Sequence, residues 1–90
     1  MIIYQPKTNL ISTHVPTILT DFKNTVKESV SDILVVDLIN VTRIDSTGLN
    51  FLVSIYKNWE QKVKIAIINA SDFIKNILIS VGLSEYFDVR

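Results

Sequence analysis

Ninety residues carry nine basic and nine acidic side chains, one histidine and no cysteine, and 48% of them are hydrophobic. That length makes one domain, able to bury roughly two-thirds of the surface its unfolded chain exposes. The cancelled charge argues against nucleic acid as the main partner, and the missing cysteine excludes disulfides, thiolate catalysis and cysteine metal sites.

The start, Met1 to Lys7, lacks the basic opening and long apolar core of a signal peptide. No aliphatic run approaches the length of a membrane span. A cytoplasmic protein with no membrane partner is expected.

In chain order, Ile2 to Tyr4 reads as a short strand closed by Pro6, and Asn9 to Ser12 as a weak second one. Pro16 opens a helix over 16–30, since proline in a first turn costs no hydrogen bond. Ile18, Leu19, Phe22, Val26 and Val30 line one face of it. Residues 33–39 open with the unbroken apolar run Ile33-Leu34-Val35-Val36, the signature of a strand covered on both faces. A helix over 47–61 follows, with Leu49, Leu52, Val53, Tyr56 and Trp59 at helical spacing. Residues 64–69 repeat the buried-strand pattern around Ile65-Ala66-Ile67-Ile68. Ser71 is the expected N-cap of a helix over 72–81, with a core face of Phe73, Ile74, Ile77, Leu78 and Val81. Gly82 stops that helix as a left-handed C-cap, and Leu83 supplies the apolar contact that often follows. The alternation predicts one α/β domain over 1–90, a mainly parallel mixed sheet of about four strands with alternating helices. The runs 33–38 and 64–68 should lie central and parallel.

The polar link Arg43-Ile44-Asp45-Ser46-Thr47-Gly48-Leu49 falls between a strand's carboxyl end and a helix's amino end. Ligands and partners dock at such places in open α/β sheets. Ser46 is expected there exposed and close to free backbone N–H groups. The residues leave two readings open, and both can hold. Ser46 or Thr47 is an ordinary N-cap, contributing about 1 kcal/mol. Alternatively Ser46 is a phosphorylation site, since a helix amino end tolerates the added charge of about −1.5 to −2.

Phe51 is expected nearly opposite the Leu49, Leu52, Val53 and Tyr56 stripe. There it is either an exposed binding hot spot one turn from Ser46 or packs on a loop. Asp37 either shares a cation with Asp45 or, as the simpler account, receives hydrogen bonds from loop backbone. His14 reads as a surface or capping residue. With one isolated histidine and no base recognisable near Ser46, catalysis is not expected, nor is a cofactor or a metal.

The stretch Asp32 to Leu49, with its Asp45-Ser46-Thr47-Gly48 turn, resembles the signature of STAS domains. These are the bacterial anti-sigma-factor antagonists and the related domains of sulfate transporters. Ile77 to Phe87 is similar to the family's closing helix, glycine and aromatic end. The resemblance implies a phosphoprotein of transcription regulation, with Ser46 the phosphosite and Asp45 beside it. Its partner would be an anti-sigma-factor serine kinase, bound while Ser46 is unphosphorylated, and a phosphatase would reset phospho-Ser46. Asp45, Ser46, Thr47, Gly48, Asn50 and Phe51 are the expected partner-binding residues.

The sequence departs from the family in three places. Ser12 to Pro16 stand where members usually carry a glycine and an aspartate, and Asn50 where a second glycine is common. Members also continue into a last helix past the position of Arg90. Two alternatives stay open: a non-switching STAS subunit (a stressosome scaffold or a partner of a lipid-transport ATPase), and a small phosphate- or nucleotide-binding module. The absence of a glycine-rich loop with a lysine counts against the latter.

Overall fold

The computed structural model describes residues 1–26, 33–59 and 64–90. The elements run β1 (Ile2–Tyr4), α1 (Val15–Val26), β2 (Ile33–Asp37), α2 (Ser46–Trp59), β3 (Lys64–Ile68), α3 (Asp72–Ser80), a 3-10 turn (Leu83–Glu85) and β4 (Asp88–Val89). The predicted helical residues 27–30, including Val30, and 60–61 lie outside the described residues, as does the Trp59 side chain. Asn9 to Ser12 do not form a strand, but Leu10 makes an isolated parallel bridge to Ile44.

The four strands form one sheet in the order β1-β2-β3-β4. Every pairing is parallel, with Leu34 beside Ile65 and Val36 beside Ile67. The expected parallel centre is therefore present. The two-residue β4 was not expected: Asp88 and Val89 are too few and too polar to signal a strand.

The expectation that the apolar strands are covered on both faces holds only in the middle of β2, where Leu34, Val35 and Val36 are all buried. In a sheet that advances strand by strand in one direction, right-handed crossovers all fall on the same side. Tyr4, Leu34, Val36, Ile65 and Ile67 accordingly pack into one core with Phe22, Leu52, Ile74 and Leu78. On the opposite face Ile3 and Ile33 are 54% and 41% exposed.

At α3, Ser71 caps as expected, accepting from the Ile74 N–H at 3.2 Å. Gly82 takes the left-handed conformation at φ 82° that ends the helix. Ile74 and Leu78 form its buried stripe, whereas Phe73 (63% exposed) and Val81 (52%) point outward rather than into the core.

Candidate functional site

The carboxyl edge of the sheet is tied together before it presents any site. Asp37, at the end of β2, accepts from the Gln5 amide after β1, the Asn69 amide after β3 and the Ile39 N–H, each at 3.0 Å. Asn69 reaches it from a left-handed backbone conformation, φ 58°, which asparagine tolerates better than most residues. Burial pushes the Asp37 carboxyl up, but these donors outweigh it and hold the group below the usual carboxylate range. Asp37 is thus an acceptor for three loops. Among the described residues no group of three or more His, Asp or Glu side chains is placed to hold a metal ion.

Next to this knot, the chain entering α2 is zipped to the chain leaving β1. Asn9 Oδ1 accepts from the N–H groups of Thr42 and Arg43 at 2.8 and 3.1 Å. The Leu10 N–H donates to the Arg43 carbonyl and the Asp45 N–H to the Leu10 carbonyl, both at 3.1 Å.

Asp45 then caps α2. One carboxylate oxygen accepts from the Gly48 N–H at 3.0 Å and the other from the Ser12 N–H at 2.8 Å. This corrects the capping reading, because Asp45, not Ser46 or Thr47, fills the N-cap. Three consecutive residues here are good cap formers, and the cap falls to the one whose second oxygen also reaches Ser12. The Ser12 N–H, followed by those of Gly48 and Thr47, holds the Asp45 carboxyl below its ordinary range.

Ser46 is consequently the first residue of the helix, exposed and not used as its cap. Thr47 is half-buried, and Asn50 is exposed one turn on. Gly48 is buried. A Cβ there would stand 2.0 Å from the Leu10 carbonyl oxygen and 2.9 Å from Ile44 Cγ1. Its role is to let α2 press against the Leu10 backbone, so its expected place on the partner surface gives way to packing.

Phe51 requires a second correction. It is 3% exposed, and its ring meets Phe22 edge-to-face at 5.7 Å, with Tyr4 on the far side of Phe22 at 5.1 Å. It is a core residue and cannot anchor a partner. The buried stripe of α2 is Gly48, Phe51, Leu52 and Ile55, while Leu49, Val53 and Tyr56 pack against the core only in part. His14 is half-buried at the start of α1, and its carbonyl accepts from the Ile18 N–H at 3.0 Å.

Of the expected partner-binding residues, the fold brings Asp45, Ser46, Thr47 and Asn50 together at one edge and turns Gly48 and Phe51 inward. Ser12 was missed. Its backbone N–H makes the 2.8 Å contact and its hydroxyl also favours the Asp45 carboxylate, but the two residues lie 33 apart and only the fold brings them together.

Among the described residues no helix is long and apolar enough to cross a membrane. No curated protein matches the chain. A model of the STAS domain family does, over residues 1–90. The match takes in the capped turn at Ser46 and the Gly82 end alike, and the chain belongs to the STAS domain family.

Proposed function

We propose that this protein is an anti-sigma-factor antagonist, a protein-interaction module switched by phosphorylation at Ser46. The observation that carries the reading is the placement of Ser46. It is an exposed hydroxyl at the first position of α2, with the capping task taken by Asp45. A kinase can therefore transfer the γ-phosphoryl of ATP to Ser46 Oγ without removing a structural hydrogen bond of that side chain. The helix dipole favours the product's charge, so the fold survives it.

The partner is an anti-sigma-factor serine kinase whose surface accepts the neutral hydroxyl. Phosphate then brings repulsion and unfavourable desolvation at that contact. A phosphatase acting on phospho-Ser46 restores binding. The protein itself performs no catalysis, uses no cofactor and works in the cytoplasm.

The test is incubation of the purified chain with ATP and the serine kinase it captures, followed by intact-mass measurement and peptide mapping. One phosphoryl group on Ser46, absent from Ser46→Ala, supports the reading. An unmodified chain contradicts it, and phosphate on Thr47 would move the site while keeping the mechanism.

A further inference from the structure

α1, α2 and α3 all pack on one face of the sheet. Over the other face runs a groove of about 820 Å³, with Ile33, Val35, Ala66 and Ile68 on its floor. Val35 is buried there, but Ile33 stays exposed. All-parallel sheets are almost always covered on both faces, and an exposed apolar patch with a polar rim marks an interaction site.

The rim decides what covers it. Lys64 and Arg90 stand there against Glu85 and Asp88. A purely anionic or cationic ligand is attracted by two of these groups and opposed by the other two. The Asp88–Arg90 pair is 55% and 72% exposed, and ion pairs so placed are worth little and exchange partners readily. The whole chain also has a formal net charge of zero at pH 7, so two copies carry no overall repulsion. A rim holding both signs is complementary to itself.

We infer that this face binds the same face of a second copy of the chain. In the sheet register Val35, Ala66 and Asp88 form one row, and Ile33 and Lys64 the row before it. Strands lie about 4.8 Å apart and rows on one face about 6.6 Å apart. On that grid a two-fold axis lying between the two sheets, beside Val35 and Ala66, exchanges the places of Lys64 and Asp88. Lys64 of each copy then faces the partner's Asp88, and Ile33 lies near the partner's Ile68. The strands of the two sheets cross nearer to the perpendicular than to the aligned mode of sheet packing. The helices point outward in this dimer and both Ser46 turns stay open, so the pairing is independent of the Ser46 switch. Four short strands offer less than the roughly 800 Å² per partner of a standard interface. The dimer is therefore weak, forming between about 10 μM and 1 mM chain.

Sedimentation equilibrium of the purified chain over that range tests the pairing, and should show monomer and dimer in exchange. Ile33→Glu should weaken association by at least about tenfold with the unfolding temperature kept. If Ile33→Glu unfolds the chain, the charge reversals decide, because Lys64 and Asp88 are both exposed. Lys64→Glu and Asp88→Lys should each weaken the dimer about threefold, and the double reversal should restore it.

A chain still monomeric at about 1 mM overturns the inference. If added dodecanoate then shifts the Ile33 and Ala66 amide signals by NMR, the face belongs to an apolar ligand instead. A dimer indifferent to Ile33→Glu overturns it as well, since the contact then lies elsewhere. Single reversals that weaken a dimer the double reversal does not restore overturn the pairing of Lys64 with Asp88. None of these outcomes bears on phosphorylation of Ser46.

Discussion

Ser71 and Asp45 cap helices that follow adjacent strands, Ser71 through the Ile74 N–H at 3.2 Å and Asp45 through the Gly48 N–H at 3.0 Å. The local geometry is the same, a side-chain oxygen meeting a backbone N–H three residues on. The surroundings are not. Asp45 also reaches Ser12, 33 residues away in sequence, and its helix lies so close to Leu10 that position 48 has no room for a Cβ. A cap that serves its own helix stabilises that helix. A cap shared with a distant loop, beside a serine that caps nothing, fixes a surface around that serine.

The comparison breaks most severely where α2 loses its packing. Phe51→Ala removes a buried ring packed edge-to-face on Phe22 and should destabilise the fold by about 3–5 kcal/mol in a denaturant titration. A small effect, with weakened partner binding, would return Phe51 to the surface.

Gly48→Ala should cost about 1–3 kcal/mol, because the added methyl group must displace the Leu10 backbone. It should also quicken amide exchange at Ser12, whose N–H is bonded to Asp45, when read by NMR, which Ser71→Ala should not. Ser71→Ala should cost about 1 kcal/mol by thermal unfolding and leave partner affinity unchanged. Asp45→Ala should lower the unfolding temperature and weaken binding as well. If the two cap variants behave alike in binding, the distinction between the caps is void.

The acid side of the stability profile sharpens the same contrast more gently. The Asp45 and Asp37 carboxyls are both held below their ordinary range in the folded chain. Their contribution is fully present above the unfolded value of about 3.9 and is lost as pH falls through the lower folded values. The unfolding temperature should therefore hold level near neutrality and drop below about pH 4. Asp37→Asn should make the drop shallower. A profile identical to the wild type's would mean that the hydrogen bonds to Asp37 do not favour its charged form.

Much of this was readable from residue order. The runs at Ile33 and Ile65, the Ser71 cap and the Gly82 stop each combine a strong local preference with a tertiary role that agrees with it. The misreading of Phe51 has a physical origin. Apolar residues cover most of the α2 circumference, so 49/52/53/56 and 48/51/52/55 are both helical stripes, and hydrophobicity cannot choose between them. Packing of Gly48 on Leu10 chooses, and a glycine in the first turn was the available hint. The open sheet face was hidden because Ile33 and Ile3, both exposed, are as apolar as Leu34 and Val36, which enter the core. The sharing of Asp45 with Ser12 joins residues 33 apart in sequence, which only the fold brings together.

The measurement that bears most directly on the central claim is the affinity of the serine kinase partner for three forms of the chain, by calorimetry. Ser46→Ala should bind as the unmodified protein does, because the side chain caps nothing and the surface accepts a small neutral group. Ser46→Asp should bind at least tenfold more weakly, a difference of about 1.4 kcal/mol. Equal affinity for the serine, alanine and aspartate forms would contradict the switch and leave a static scaffold.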